Sequence, residues 1–368
     1  MDPNLAAMFG GQPGGDMGSM LAGFWDSPLV AQIAFPARPA SKGDGLQAGM
    51  DDGEIGVDGG SVAYRVYSGL PADKRRAVCV YFHGNAEICT DVGYGISDFY
   101  DAGVGILSVD YRGYAWSKGQ PKMSSLCPDA EAVHAQVPAI LAKAGLEGLP
   151  VLLFGRSLGA TCAVHLATTF PEAYAGVVLE SGLQTIKDLP MLAPLSQMIP
   201  GADAMLPMLP EPLGTLEKMG KLSLPVLFIH ALADEIVPFA QAEKAFARAP
   251  SADKAFEKVA GGAGHNDLLA RAHGQYFAAF TGFLDRVAGG GMTAEDVEGL
   301  SVKALKAALN QRSIDHAHCV EKSELKALLL KALPAAAPAD AAPGPAPAPA
   351  PAPASADAKP AMGFEEVD

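Results

Sequence analysis

The stretch Val151-Leu-Leu-Phe-Gly155-Arg156-Ser157-Leu158-Gly159-Ala160 decides the reading of this chain. An apolar run of strand length meets Gly-x-Ser-x-Gly and passes at once into helix-forming sequence over about 158–170. A serine in such a strand–turn–helix corner is held in a strained backbone conformation with its hydroxyl turned out of the sheet. Gly155 and Gly159 suit the corner because a Cβ at either position would run into the neighbouring strand and helix. The following helix aims its first amides at any negative charge that develops beside the serine. Ser157 is therefore the expected nucleophile, the alternative being an ordinary turn at a strand end.

A serine hydroxyl attacks only when a base removes its proton, and the base needs an acid to orient it. Both are present downstream. His230-Ala-Leu-Ala-Asp234-Glu235 leaves a buried strand and places Asp234 in the loop, while Gly261-Gly-Ala-Gly264-His265-Asn266-Asp267 places His265 in a glycine-rich turn. Ser157 would attack a carbonyl, His265 would take and return the proton, and Asp234 would hold the imidazole. Glu180, at another strand end, competes for the role of acid. His230 reads as a packed, hydrogen-bonded residue, and Asp267 as the cap of the helix after His265. Upstream, Tyr81-Phe82-His83-Gly84-Asn85-Ala86-Glu87 follows a buried strand, so the amides of Asn85 and Leu158 are the expected oxyanion donors. Ala86 is the alternative to Asn85, and His83 is expected to brace the loop.

Further out, Ala77–Phe82, Gly105–Val109, Pro150–Gly155, Ala175–Leu179 and Leu224–Ile229 are apolar, β-branched runs of strand length. Stretches near 129–144, 158–170, 239–249 and 272–287 have helical spacing. Continuous apolar strands alternating with helices imply an α/β fold, a mostly parallel sheet covered on both faces. The expected division is a flexible segment over 1–60, the α/β domain over 61–291 with a small cap over about 183–222, a helical pair over 292–331, and an Ala/Pro linker over 332–368. Within 1–60, the apolar island Leu21–Phe35 is expected to dock on the body as a short helix.

Residues 61–290 resemble the α/β-hydrolase superfamily. Asp110-Tyr-Arg-Gly113-Tyr114-Ala-Trp-Ser117-Lys-Gly119-Gln-Pro121 is similar to a signature of the branch that holds depalmitoylase-like serine hydrolases and their fungal and plant relatives. Gly262-Ala-Gly264-His265-Asn266-Asp267 matches the catalytic-histidine loop of that branch. Ala115 departs from the glycine usual in the signature. The Cys-rich, palmitoylated N-terminus of the membrane-bound members has no counterpart here, which points away from membrane-anchored protein substrates. The resemblance implies a cap over the active site, and the Pro/Met-rich interval with Met191, Met198, Met205 and Met208 falls where it would lie. An adaptable Met/Leu surface suits an aliphatic acyl chain. The expected activity is hydrolysis of an acyl ester or thioester through an acyl-enzyme, with no cofactor and no metal. A serine peptidase or amidase with the same triad, or a non-enzymatic adaptor on a hydrolase scaffold, are the alternatives.

The helical pair, Leu300–Leu309 and Val320–Leu329, resembles a SAP-like module. Its six bases balance six acids over 292–331, so the cationic footprint of nucleic-acid binding is missing and protein docking is expected. Glu365-Glu366-Val367-Asp368 resembles the terminal peptide of cytosolic heat-shock chaperones. That resemblance implies a TPR-type partner reading paired carboxylates with a cationic clamp.

The whole chain of 368 residues carries 41 acids and 27 bases, a net charge of −14. Only 22 acids against 18 bases fall in 61–291, so most of the charge belongs to the ends. An acidic balance disfavours nucleic acid and anionic membrane as partners. Five scattered cysteines without a C-x-x-C pair imply a reducing compartment, and no apolar run reaches membrane-spanning length. A cytoplasmic protein is expected.

Overall fold

The computed structural model describes residues 23–190, 208–288, 294–302, 305–306, 309, 316, 318–319 and 321–331. The expectations for the first 22 residues, for Met191, Met198 and Met205 of the cap, and for the tail 332–368 lie outside these residues.

Eight strands form one sheet: β1 (Met50–Val57), β2 (Gly60–Tyr67), β3 (Ala77–Phe82), β4 (Val104–Val109), β5 (Val151–Arg156), β6 (Gly176–Glu180), β7 (Val226–Ala231) and β8 (Lys254–Val259). Their spatial order is β1-β2-β4-β3-β5-β6-β7-β8. The β1–β2 and β2–β4 pairs are antiparallel and every other pair is parallel. The helices, in chain order, are α1 (Pro28–Ala34), α2 (Ile96–Asp101), α3 (Leu126–Lys143), α4 (Gly159–Thr169), α5 (Thr215–Met219), α6 (Phe239–Arg248), α7 (Leu268–Val287), α8 (Ala294–Gly299) and α9 (Lys322–Lys331).

The period-2 geometry of a strand sends alternate residues to opposite faces. In β3, Val78, Val80 and Phe82 join one apolar cluster with Val133 and Leu141 of α3 and Val164 of α4. Ala77, Cys79 and Tyr81 join the other with Phe99 of α2 and Tyr276, Phe280 and Phe283 of α7. Both faces are therefore covered, as continuous apolar strands require. This is the α/β-hydrolase fold.

The domain boundary needs correction. It was expected at residue 61, with 1–60 flexible, but the sheet begins at Met50 and the described N-terminal residues pack against the body. Phe24, Trp25 and Phe35 are buried in the first cluster, with Ser27 and Pro28 opening α1. Trp25 Nε1 donates to the Pro210 carbonyl at 2.8 Å. In β1, the acid Asp52 lies inside because Arg65 of β2 meets it with two hydrogen bonds of 2.6 and 2.7 Å. Buried charge survives in a fold only when so paired.

Among the described residues, Val297 of α8, Leu305, Leu309, Cys319, and Leu325 and Leu329 of α9 form a third apolar cluster. Among the described residues, no helix is long and apolar enough to cross a membrane.

Candidate active site

β5 ends at Arg156, and the chain turns sharply before α4 begins at Gly159. Ser157 stands in the turn at φ +51, a left-handed conformation that few non-glycine residues adopt. A Cβ on Gly159 would sit 2.0 Å from the Phe82 carbonyl oxygen, and one on Gly155 would sit 2.6 Å from Ala160 Cα. The turn is thus closed to larger residues at both flanks. It is pinned by the Ser157 amide donating to the Glu180 carbonyl and the Leu183 amide donating to the Ser157 carbonyl, each at 2.9 Å.

The structure brings Ser157, His265 and Asp234 into one hydrogen-bonded chain. Ser157 Oγ is 3.0 Å from His265 Nε2, and His265 Nδ1 is 2.8 Å from Asp234 Oδ2 and 3.0 Å from Oδ1. A carboxylate only accepts, so Nδ1 carries the proton and Nε2 is left free to receive one from the serine. Asp234 Oδ1 also accepts from the amides of Ile236 and Val237, at 3.0 and 2.8 Å. Burial alone would raise the Asp234 carboxyl. The hydrogen bonds from His230 and His265 and the amide of Val237 outweigh it and hold the group well below the usual carboxylate range.

His230 is buried beside the acid, not at the serine. Its Nε2 donates to the Val237 carbonyl at 2.8 Å and lies 3.3 Å from Asp234 Oδ2. Glu180, the competing acid, is committed elsewhere: Arg156 donates to it at 3.0 Å and the Tyr276 hydroxyl at 2.7 Å. Asp267 occupies the first position before α7 without capping its amides. Its carboxylate instead accepts from the Gly264 amide at 2.7 Å and pairs with Arg271, so it closes the His265 loop.

On the far side of the serine, the loop after β3 carries Asn85. Tyr114 donates to the Asn85 carbonyl at 2.6 Å, and Tyr111 donates to the His83 carbonyl at 2.6 Å. His83 Nδ1 and Nε2 face the Gly84 carbonyl at 2.8 Å and Asp110 Oδ1 at 3.1 Å. Burial would lower the imidazole, but the bonds to Asp110 and Gly84 raise it above the ordinary histidine value. The Asp110-Tyr-Arg-Gly-Tyr114 segment is therefore the brace of this loop. Ala115 takes φ +45 there, the conformation that favours the glycine of the signature. Among the described residues, the amides of Asn85, Ala86 and Leu158 have no hydrogen-bond partner, so all three stay open as donors.

Sequence reading passed over Arg156. Its guanidinium pairs with Glu87 at 2.6 Å and Glu180 at 3.0 Å, and donates to the His265 carbonyl at 3.1 Å and Asn266 Oδ1 at 3.2 Å. One side chain beside Ser157 thus ties the loop after β3, the end of β6 and the histidine loop. A cleft of about 330 Å³ opens beside it, lined in part by Glu87, Asp91, Asp98, Glu180, His265 and Leu269. Every acid lining the cleft already has a partner: Glu87 and Glu180 share Arg156, Asp91 pairs with Arg38 at 2.6 Å, and Asp98 Oδ1 lies 3.1 Å from His273 Nε2. Of the four methionines named for the expected cap, Met208 lies among the described residues and is 68% exposed. The two roots of that cap are fixed, Ile186 donating to Glu211 at 3.1 Å and Gln184 to Gln241 at 2.9 Å. No group of side chains among the described residues has the makings of a metal site.

Residues 73–211 match the family described as serine aminopeptidase, S33. Residues 292–329 match the E3 ubiquitin-protein ligase rififylin-like domain. The chain is 30% identical over 198 residues to alpha/beta hydrolase domain-containing protein 17C of Xenopus tropicalis, covering 52% of this chain and 57% of that relative. It is 27% identical over 219 residues to alpha/beta hydrolase domain-containing protein aho-3 of Caenorhabditis elegans, covering 58% and 59%. The chain thus spans between half and two thirds of the length of these curated relatives. Among solved structures, the Pyrococcus furiosus esterase Pf2001 aligns with a TM-score of 0.52 at 14% identity, covering 69% of this chain and 99% of the esterase. Likeness at that identity is likeness of fold.

Proposed function

We propose that this chain is a serine hydrolase that cleaves an acyl ester or thioester. The observation that supports it most is the continuous hydrogen-bonded chain from the strained Ser157 through His265 to the ionised Asp234. In the proposed reaction, Ser157 Oγ attacks the acyl carbon as its proton passes to His265 Nε2. Asp234 stabilises the resulting imidazolium, and the tetrahedral oxyanion lies against the amides of Leu158 and Asn85, with Ala86 as the alternative to Asn85. Collapse expels the alcohol or thiol with the proton from His265. Water then enters by the same acid–base cycle and releases the acid from Ser157.

A peptidase reading has one observation in its favour, the family that residues 73–211 match. Aminopeptidase action needs a free carboxylate to hold the substrate ammonium, and the acids lining the cleft beside His265 are already paired. That pairing favours the ester or thioester. Fluorophosphonate labelling is expected for the wild-type chain and not for Ser157→Ala. Equal labelling of both refutes the nucleophile. Faster turnover of an aminoacyl anilide than of p-nitrophenyl esters and acyl thioesters overturns the substrate class.

The proposal extends to recruitment. Glu365, Glu366, Val367 and Asp368, outside the described residues, are proposed to engage a TPR-type protein in the cytoplasm, and the SAP-like helical pair to dock on protein. A peptide of the last residues with a free Asp368 carboxylate is expected to bind a TPR clamp, and its amidated form is not. Equal binding refutes the clamp.

A further inference from the structure

Away from the triad, Cys127 is a second nucleophile set among cations. It is half-buried in the first turn of α3, a helix of 18 residues, where the helix N-terminus favours negative charge. Lys218 reaches it from α5, with Nζ 3.2 Å from Cys127 Sγ and 3.1 Å from the Leu213 carbonyl. His165 faces it from α4, with its Nε2 2.7 Å from Glu131 Oε1, one turn further along α3. Glu131 only accepts, so His165 Nε2 carries a proton.

The remaining groups near the thiol do not cancel these cations. Asp129, on the same helix, is taken up by Arg112 in two bonds of 2.6 and 2.7 Å. Cys162, on α4, is fully buried and its thiol points to the Leu126 carbonyl at 3.6 Å. Burial alone would raise the Cys127 thiol, but His165 and Lys218 outweigh it and hold it below the ordinary value. The same contact with Cys127 raises His165. The other four cysteines are buried, and burial pushes the thiols of Cys79, Cys89 and Cys162 up. Reactivity in cysteines follows thiolate character and exposure together, and here both single out one position.

We propose that Cys127 is a modification site that takes low-molecular-weight disulfides, with His165 and Lys218 holding its thiolate. The Sγ thiolate attacks one sulfur of the disulfide R–S–S–R. An Sγ–S bond forms as the S–S bond breaks, and R–S⁻ leaves and takes a proton from water. Cys127 is oxidised to a mixed disulfide and the departing thiol is the reduced product, so no other oxidant is required. The step removes an anionic acceptor that joins α3 to α4 and α5. α4 is the helix that begins at the nucleophile turn, and α5 is tied to it by Thr215 and Thr161 at 3.0 Å.

The test uses the full chain. Iodoacetamide is applied over pH 5–10 and each cysteine is followed by peptide mass spectrometry. Cys127 is expected to react ahead of the other four, with a half-maximal rate below the ordinary thiol value of about 8.5. Glutathione disulfide is expected to add one glutathionyl group at Cys127 that dithiothreitol removes. Lys218→Met is expected to slow alkylation at pH 6.5 by about 10-fold, a shift of about one unit in the profile. A wild-type profile centred on the ordinary thiol value, or labelling of Cys127 no faster than of buried Cys162, overturns the proposal. The wild-type measurement stands whether or not the variant folds.

Discussion

At Ser157 the backbone adopts a conformation costing a non-glycine residue about 1–2 kcal/mol, and the two amide–carbonyl bonds to β6 and its loop retain it. That residue, Asp234 and His265 were legible in the sequence because each follows a strand end in a short turn with its own local pattern. Arg156 was not legible. Its partners lie at positions 87, 180, 265 and 266, and ion pairs across such separations leave no local spacing to read. Arg156→Met strands the Glu180 carboxylate in a buried site and is expected to cost about 3–5 kcal/mol in urea unfolding, with activity falling as the His265 loop loses its anchor. At Asp234 the folded carboxyl is depressed below its unfolded value of about 3.9, so its stabilisation is complete above that value and fades as pH falls through the folded one. Asp234→Asn is expected to lose about 10⁴ in kcat. Its stability deficit against wild type should be constant above about pH 5 and shrink below about pH 4.

Among the elements, the runs expected for β3 to β7 and the helices α3, α4, α6 and α7 lie within a few residues of their observed bounds, because buried parallel strands and long helices carry continuous apolar or period-3.6 patterns. β1 and β2 were passed over. Met50-Asp-Asp-Gly-Glu-Ile-Gly-Val57 has three acids and two glycines in eight residues and shows no alternation. Its inward Asp52 makes sense only once Arg65 is placed opposite, and that pairing is a product of the hairpin register. The dipeptide Asp58-Gly59, with Gly59 at φ +75, was the available sign of a two-residue hairpin turn. Asp52→Ala leaves a buried guanidinium and is expected to cost about 3–5 kcal/mol. The double variant Asp52→Leu, Arg65→Met is expected to regain most of it. Urea midpoints as low for the double as for the single variant would contradict an electrostatic cause.

Across the whole molecule, the sheet's parallel order and its two covered faces were foreseeable from alternating strand and helix runs. The docking of the N-terminal residues was only partly so: the island over Leu21–Phe35 was visible, but the carbonyl of Pro210 that receives Trp25 lies 185 residues away. That indole contact also has an optical consequence. The chain holds two tryptophans, Trp25 and Trp116, and Trp116 donates to the Gly53 carbonyl of β1 at 3.0 Å. Trp25 instead touches the chain at Pro210, next in sequence to Glu211 and its bond to Ile186. With Trp116→Phe as background, the remaining emission comes from one indole whose hydrogen bond depends on where Pro210 stands. Phosphonylation of Ser157 by a long-chain fluorophosphonate, with loss of fluoride, is expected to shift the emission by displacing Pro210, and a short-chain reagent to leave it unchanged. The protein thus carries its own fluorophore against Pro210, and displacement there can be read without a label.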